Sequence, residues 1–193
     1  IGILHVDSTW SDGTASIEDM ANKARKLGYK WMGLSDHSKA ASYAHGLDDN
    51  RLKQQMKEAP APNAGWKDFR ILHGMEVDIL PDGTLDLSDE LCRKLDFVIG
   101  SVHSRFDMSE TEMTDRICKV MADPHFDVLG HPTGRLLLRR EGYKVDLERV
   151  IQAARKEGKV VELNANPHRL DLDDLHARRA RELGVKLSID PDA

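Results

Sequence analysis

Short apolar runs alternate with segments of helical period along the whole chain. Seven of these runs have the length and composition of strands, and they cover residues 3–5, 31–35, 69–77, 97–101, 126–129, 160–163 and 186–189. Strands that alternate with helices along a sequence are typical of βα units and a mainly parallel sheet. The pattern therefore predicts an α/β fold.

The helices between these strands have clear start and stop residues. We expect four of them, beginning near Ser16, Ser109, Asp146 and Asp171 and ending near Gly28, Asp123, Gly158 and Gly184. Serine and aspartate accept hydrogen bonds from the free amides of a first helical turn, and glycine adopts the left-handed conformation that ends a helix. The stretch 58–66, with Pro60, Pro62 and Gly65, predicts a surface loop.

The length of the chain bears on the closure of the sheet. Eight-unit βα barrels typically need about 250 residues, so 193 residues with seven strands predict a smaller, seven-stranded relative of the TIM barrel. An open doubly wound sheet is the alternative fold, but no glycine-rich phosphate loop follows the first strand. We expect residues 1–193 to form one domain.

Composition excludes several classes of protein. The 28 basic and 33 acidic residues give a net charge of −5, which disfavours strong autonomous binding to DNA. Cys92 and Cys118 lie in unrelated segments, which predicts reduced thiols and a cytoplasmic location. An apolar run of the roughly 20 residues needed to cross a bilayer is absent, and so is a basic and apolar leader, so membrane and secretory classes are not expected.

Four of the nine histidines follow predicted strands. His5, His37, His103 and His131 stand at the ends of the first, second, fourth and fifth strands, and Glu76 ends the third. The carboxyl ends of parallel barrel strands open on one face, so we expect these side chains to converge there. Any single histidine could instead be a hydrogen-bonded core or loop residue. The repeated placement after strands favours a site.

Further polar residues follow the same strand ends. They are Asp7, Asp12, Asp36, Asp78, Asn164, Asn166, Asp190 and Asp192. Mixed imidazole and carboxylate ligands suit Mn²⁺, Fe²⁺ or Zn²⁺, whereas a structural zinc site would be expected to use clustered thiolates. More than four candidate ligands imply more than one ion, and two or three neighbouring ions suit phosphoester hydrolysis.

Six segments resemble a known family, the PHP (polymerase and histidinol phosphatase) domain. They are residues 4–13, 35–38, 74–78, 101–106, 130–135 and 164–167. The likeness is greatest to the PHP domain that follows the polymerase domains in bacterial and archaeal family X DNA polymerases. It extends over essentially the whole chain, with the segments in the same order.

The resemblance implies a distorted seven-stranded (β/α) barrel that holds two to three divalent ions, Mn²⁺ or Zn²⁺ with Fe²⁺ as a further candidate. The ligands that it implies are His5, Asp7, Asp12, His37, Glu76, His103, His131 and Asp192. Among them we expect Glu76, His103 and Asp12 to carry the catalysis, with Glu76 bridging ions. In family X polymerases this domain is associated with 3′-5′ exonuclease activity, and stand-alone relatives hydrolyse small phosphate monoesters.

Basic residues near the strand ends are candidates for binding the substrate. Arg105 and Arg135 follow His103 and His131, and a guanidinium matches phosphate geometry with two hydrogen bonds. His168 and Arg169 could contact the substrate in the same way. For Arg105 and Arg135, a surface ion pair is the alternative. Arg139 and Arg140 extend the basic cluster of Arg135 and are either contacts for a DNA backbone or solvated charge.

Two departures from the family pattern bear on activity. Asp7 replaces the second histidine of the first motif, and the last motif, Asp-x-His in the family, is represented by Asp192 and Ala193. Each departure predicts a weaker metal position. The leading hypothesis is processing of DNA 3′ ends beside the polymerase domains of a longer chain. The alternatives are a phosphatase for small phosphate monoesters and a degenerate barrel with a structural role.

Overall fold

The computed structural model describes residues 1–59, 63 and 65–193, so Pro60 and Pro62 of the expected loop lie outside the described residues. The strands are β1 (Gly2–Ile3), β2 (Trp31–Leu34), β3 (Arg70–Asp78), β4 (Phe97–Ser101), β5 (Val128–Leu129), β6 (Val160–Asn164) and β7 (Lys186–Asp190). Each strand pairs in parallel with the next along the chain. This sequential order excludes the doubly wound sheet and confirms the seven-stranded barrel.

The first and last strands meet through side-chain and terminal contacts. The backbone amide of Leu4 donates to Asp190 Oδ1 at 2.6 Å, and the amide of Asp7 donates to the carbonyl of Ala193 at 2.6 Å. These bonds bring the two edges of the sheet together and leave the barrel nearly closed. Residues that follow β1 and β7 therefore become neighbours.

Helices lie between the strands. They are α1 (Ile17–Lys26), α2 (Asp49–Glu58), α3 (Asp89–Cys92), α4 (Glu110–Val120), α5 (Leu147–Glu157) and α6 (Asp174–Glu182), with a short 3₁₀ turn at Ser42–Ala44. All four expected helices are present, and Ser109 forms the full capping box with Glu112. Helices α2 and α3 were not expected. The buried face of α2 consists of Leu52 and Gln55 alone, which leaves little apolar periodicity to detect.

Strands β1, β2 and β5 are shorter than the sequence suggests, and the reason is clear at β1 and β5. Strand β1 stops at Ile3 because Leu4 and Val6 donate their amides to the side chains of Asp190 and Ser35. Strand β5 starts at Val128, since the amide of Phe126 instead closes a turn on Asp123 at 3.3 Å. In both places other hydrogen bonds take the backbone groups that a longer strand would use.

An apolar layer fills one end of the barrel interior. Phe97, Ile99 and Val128 pack there with side chains of the other strands. Gly74 makes room for this layer, because a Cβ at this position would lie 2.4 Å from the Phe97 ring. Side chains two residues apart on a strand share a face, so Glu76 follows Gly74 on the inner face and continues the interior as a polar layer.

The larger helices cover the outside of the barrel. Met113 and Ile117 of α4 pack with Ile151 of α5 and with Phe126 in a fully buried cluster. This outer core holds the strands in place and thereby fixes the polar layer at their carboxyl ends. In the described part of the chain, every helix is too short or too polar to span a bilayer.

Candidate metal centre

The carboxylate of Glu76 lies at the centre of the polar layer and is fully buried. His37 Nδ1 and His5 Nε2 lie 3.0 and 3.2 Å from its Oε2 atom. His131 Nε2 and His103 Nε2 lie 2.9 and 3.3 Å from its Oε1 atom. Four imidazoles from four different strand ends thus surround one carboxylate, as the strand pattern suggests.

Several potential metal-ligand atoms in this cluster make no well-aligned hydrogen bond with the described residues, despite their short distances to Glu76. They include His5 Nε2, His37 Nδ1, His103 Nε2 and Glu76 Oε2, all of which are buried. A buried polar atom without a partner is destabilising by about 1–3 kcal/mol. Such a concentration of unpaired atoms indicates that a ligand binds among them. A divalent cation satisfies imidazole nitrogens and a carboxylate oxygen together. The residues present therefore fit a metal centre.

Three groups of donors are compact enough to hold an ion, since the ligand atoms of each lie within 4.8 Å of one another. We call them the inner triad (His5, Glu76 and Asp192), the middle triad (His37, Glu76 and His103) and the outer triad (Asp7, Asp12 and His37). Glu76 belongs to two of the groups. The middle and outer triads share His37, so the three triads are contiguous.

Glu162 braces the inner triad from below. Its Oε1 atom lies 2.6 Å from His5 Nδ1, and its Oε2 atom accepts the amide of His131 at 2.6 Å. Because Nδ1 is engaged, Nε2 of His5 is directed toward Glu76 and Asp192. Burial opposes a charge on His5, but the carboxylates of Glu162, Asp192 and Glu76 outweigh it and raise the pKa of His5 well above its ordinary value.

Asp78 braces the middle triad in the same manner. Its Oδ1 atom lies 2.7 Å from His103 Nδ1. Burial lowers the pKa of His103, but Glu76 and Asp78 outweigh this effect and raise the pKa from 6.5 to about 9. The buried Arg116 fixes the loops on either side, because its guanidinium donates to the carbonyls of Leu80 and Ser104 at 3.0 and 2.9 Å.

The two carboxylates of the inner triad, Glu76 and Asp192, are held as anions. Burial raises the pKa of Glu76, but His37, His5 and His103 lower it to well below its ordinary value. Asp192 accepts hydrogen bonds from Arg169 Nε at 2.8 Å and from Asn164 Nδ2 at 2.9 Å. Burial raises the pKa of Asp192 as well, but the charges of His5 and His131 bring it down to about 2.

Asp36 holds the loop that carries the outer triad. Its carboxylate accepts the amide of Ser8 at 2.8 Å, the hydroxyl of Ser11 at 2.5 Å and the amide group of Gln55 at 2.6 Å. Asp36 is itself buried, so these bonds form away from water. The loop between β1 and α1 is thereby fixed while its acidic side chains stay available.

The outer triad is more open than the other two. The Asp12 side chain is 47% exposed, and its Oδ1 atom lies 3.8 Å from His37 Nε2. The Asp7 Oδ1 atom is buried without a hydrogen-bond partner among the described residues. Burial, with the charges of Glu76, Asp36 and Asp192, raises the pKa of Asp7 well above its ordinary value despite His5. A proton or a cation is therefore needed beside Asp7.

A cleft of about 350 Å³ opens over the outer triad. Its lining includes Asp7, Asp12, His37, Tyr43, Leu136, Arg139, Asn166, His168, Arg169 and Asp192. The Tyr43 ring lies 6.2 Å from the rings of both His37 and His103. Tyr43 belongs to the short 3₁₀ turn, and no feature of the sequence marks it as a cleft residue.

The four basic residues proposed as phosphate contacts divide into two pairs. His168 and Arg169 line the cleft. Arg135 donates instead to the carbonyls of Arg169, at 3.0 Å, and Leu170, so that it supports the loop that carries Arg169. Arg105 is exposed away from the cleft lining, and its Nε atom lies 3.6 Å from Asp107 Oδ1. This contact is the surface ion pair that was the alternative.

One bracing carboxylate was not predicted from the sequence. Glu162 stands inside the apolar run of β6 and has no spacing that marks a ligand. Its signal is a single acidic residue on the inner face of an otherwise apolar strand, where a charge needs a partner. Asp36 was among the predicted polar residues, and its partners lie in the loop after β1 and on α2.

Comparison with known sequences identifies relatives over the whole chain. The family profile described as PHP domain matches residues 4–166. The chain is 49% identical over 192 residues to the DNA polymerase/3′-5′ exonuclease PolX of Bacillus subtilis (strain 168), which covers 100% of this chain and 34% of that protein. It is 31% identical to a protein named as a probable phosphatase in Thermoanaerobacter sp. (strain X514), with 96% of this chain and 76% of that protein covered.

Solved structures show the same fold. A structure assigned as a histidinol phosphatase from Listeria monocytogenes superposes with a TM-score of 0.76 at 14% identity, over 100% of this chain and 94% of that one. The histidinol phosphate phosphatase of Lactococcus lactis, solved with zinc, L-histidinol and phosphate, gives a TM-score of 0.63 at 16% identity, over 98% and 85%. The chain spans about a third, 34%, of the Bacillus polymerase. The matched profile and the 31% relative show that the chain belongs to the PHP domain family.

Proposed function

We propose that this chain is a metal-dependent phosphoesterase whose preferred substrates are DNA 3′ ends. The observation that carries the proposal is the set of buried donors without hydrogen-bond partners around Glu76. A barrel that had lost its metals would be expected to satisfy such atoms with hydrogen bonds, because leaving them unpaired is destabilising. This argues against a purely structural role.

Two to three divalent ions would be held by the three triads, with His131 beside Glu76 as a further donor. Mixed imidazole and carboxylate donors suit Mn²⁺ or Zn²⁺, and Fe²⁺ fits the same set. Bound ions of this kind supply Lewis acidity, which acidifies water and neutralises charge on phosphate oxygens. Glu76 belongs to both the inner and the middle triad, so it would help to hold an ion at each.

The residues of the cleft have separate tasks. Arg169 is held by Asp192 at 2.8 Å, so its guanidinium presents fixed positive charge to a phosphate in the cleft. Tyr43 has an ordinary pKa of about 10, and partial burial with the carboxylates of Glu76 and Asp78 raises this pKa further. Its phenol is therefore protonated at neutral pH and can donate to a phosphate oxygen. The half-exposed Asp12 is within reach of entering water, and we assign it the uptake of the water proton.

The substrate class rests on the relatives. The Bacillus relative is named as a polymerase and 3′-5′ exonuclease, which supports DNA 3′ ends as substrate and polymerase domains as partners. A small phosphate monoester is the second candidate. It is favoured by the cleft volume of about 350 Å³ and by the relative named as a probable phosphatase. Cys92 and Cys118 are free thiols, in keeping with a cytoplasmic location.

Replacement of His103 tests the proposal. His103→Ala removes a donor of the middle triad, and we expect a loss of at least about 100-fold in Mn²⁺-dependent hydrolysis. A 3′-labelled single-stranded oligonucleotide and p-nitrophenyl phosphate should be compared as substrates. His125→Ala, at a half-buried position outside the cleft lining, is the matched control. Full activity in His103→Ala would contradict the proposal, and a preference for p-nitrophenyl phosphate would favour the second candidate.

A further inference from the structure

A small hairpin forms one rim of the cleft, and we call residues 135–140 the rim hairpin. Leu136 and Arg140 pair in antiparallel fashion, with the amide of Leu136 donating at 2.9 Å and the amide of Arg140 donating at 2.8 Å. Leu138 stands at the tip and is fully exposed, and Leu137 is partly exposed beside it. The rim hairpin thus presents apolar side chains to solvent.

Contacts with the body of the protein hold this hairpin in place. The amide of Leu137 donates to the carbonyl of His168 at 2.7 Å. Arg140 Nη2 donates to the carbonyl of Gly134 at 2.7 Å, and its guanidinium lies 4.5 Å from the centre of the Phe106 ring. The exposure of Leu138 is therefore a property of a braced structure.

Leu138 is unfavourable in two respects for an isolated protein. Its backbone has a φ of 63°, the left-handed region, which is destabilising by roughly 1–2 kcal/mol for a residue with a side chain. Its large apolar side chain also faces water. Backbone strain of this kind often occurs at ligand-binding segments. Both features become useful if Leu138 packs against a ligand.

The position of the rim hairpin indicates which ligand. Leu136 and Arg139 line the cleft over the outer triad, and they also line an adjoining hollow of about 480 Å³ formed by residues 135–141. A small phosphate ester needs the cleft alone. A longer ligand with its ester in the cleft would continue across the hollow and meet the hairpin.

The charge of the rim favours a polyanion. The exposed Arg139 makes no side-chain hydrogen bond or ion pair with the residues that the structure describes. Its neighbours Arg135 and Arg140 use their guanidinium groups on backbone carbonyls and still add positive charge. A nucleic acid strand alternates phosphates with flat apolar bases, and proteins use arginine for the first and inserted leucine for the second.

We infer that the rim hairpin grips a polynucleotide strand, with Arg139 on a backbone phosphate next to the reacting one and Leu138 against a base. This inference rests on the proposed function, which it deepens by making the strand next to the reacting end part of the recognised substrate. Leu138 and Arg139 act here as specificity residues and leave the chemistry to the triads.

Binding is tested with two variants of the rim hairpin. Leu138→Asn removes the apolar side chain and keeps a residue that tolerates the left-handed region. Arg139→Gln removes the charge. The probe is a 5′-fluorescein oligonucleotide of single-stranded DNA whose 3′ linkages are phosphorothioates that resist hydrolysis, and anisotropy is read in Mn²⁺. Leu175→Asn and Arg178→Gln, two exposed positions on α6, are the matched controls.

We expect Leu138→Asn and Arg139→Gln each to weaken binding by about fivefold, within the range of single base or phosphate contacts. Arg139→Gln should also reduce the slope of log affinity against log salt by about 0.7. The controls should stay within about twofold of the natural chain. Hydrolysis of p-nitrophenyl phosphate should be unchanged in Leu138→Asn and in both α6 controls, since Leu138 lies outside the cleft lining.

The readouts separate this inference from the proposed function. Natural affinity in both rim variants, together with intact p-nitrophenyl phosphate hydrolysis, would overturn the inference and leave the phosphoesterase standing. Weakened binding in the rim variants of a chain that hydrolyses nothing would support the inference and overturn the function. Equal losses in the α6 controls would show general charge attraction and would also overturn the inference.

Discussion

The two ends of the metal centre are built differently. In the inner triad, His5 and Glu76 are fully buried, and Glu162 and Arg169 fix the side chains of His5 and Asp192. In the outer triad, the Asp12 side chain is 47% exposed and lies 3.8 Å from His37. The inner end is fixed by bracing residues and reaches the cleft through Asp192 alone. The outer end lines the cleft with all three of its residues.

This difference suggests a division of labour. Donors that are dry and held in place by a second layer of hydrogen bonds bind a metal tightly, because little ordering remains to be done. Donors at the solvent edge can adjust, which suits the place where substrate enters. We therefore expect the inner end to provide affinity for metal, and the outer end to adapt to the substrate and to tune the choice of metal.

The largest effect is expected from the brace of the inner triad. Glu162→Gln places an amide group where His5 Nδ1 or the His131 amide needs an acceptor. We expect Mn²⁺ affinity, measured by isothermal titration calorimetry, to fall by about 30- to 100-fold for the tightest ion. Glu182→Gln, on the surface of α6, should leave affinity unchanged. An unaltered tight site in Glu162→Gln would remove the distinction between the two ends.

A smaller effect, a dependence of stability on pH, is expected from His73, which lies behind the residues that support the outer triad. His73 Nε2 lies 2.8 Å from Gln55 Oε1, and Gln55 in turn donates to Asp36. Burial lowers the pKa of His73 to about 4, from an ordinary 6.5. The unfolded chain therefore takes up the proton first, so the contribution of His73 to stability is complete above pH 6.5 and declines as the pH falls toward 4.

Between pH 7.5 and pH 5, these pKa values give a loss of about 2 kcal/mol in the free energy of unfolding. Urea denaturation of the metal-free chain at the two pH values measures it. His73→Gln keeps a donor for Gln55 but cannot take up a proton, so it should lose about 2 kcal/mol less than the natural chain over this interval. Equal losses in both proteins would show that His73 is not the group responsible.

The smallest effect is expected from the departure in the first motif. Asp7→His exchanges an oxygen donor of the outer triad for a nitrogen donor, and imidazole favours Zn²⁺ over Mn²⁺ more than carboxylate does. We expect the ratio of Zn²⁺ to Mn²⁺ affinity to rise by about tenfold, read by competition between the ions. The inner triad serves as an internal control, because its ion should keep its affinity. A ratio that does not move would mean that Asp7 contacts no ion.

The sequence predicted the candidate metal-binding side chains better than the residues that hold them in place. Glu76, His37 and His103 follow apolar strands, so strand order alone brings them to one face. Glu162 could not be predicted in this way, since a strand pattern does not tell which neighbours a buried acid will have. Arg135 looks like a phosphate contact in the sequence, but a loop conformation that no local pattern encodes brings carbonyls to its guanidinium.

Helix boundaries could likewise be predicted where interactions within a segment define them. Ser109 and Gly158 mark helix ends through local hydrogen bonds and a left-handed cap, which are properties of a few adjacent residues. Helix α2 was not predicted because one of its two buried residues is the polar Gln55. The partners of Gln55 lie on β3 and in the loop after β2. Interactions within a segment are readable from sequence, and interactions between segments need the fold.

The most direct test of the metal centre is the metal content of the purified chain. The protein should be loaded with Mn²⁺ or Zn²⁺, dialysed, and analysed by elemental mass spectrometry beside Glu76→Gln. The account predicts two or more ions per natural chain, and the loss of at least one in Glu76→Gln, because Glu76 serves both the inner and middle triads. Less than one ion per natural chain under excess metal would contradict it.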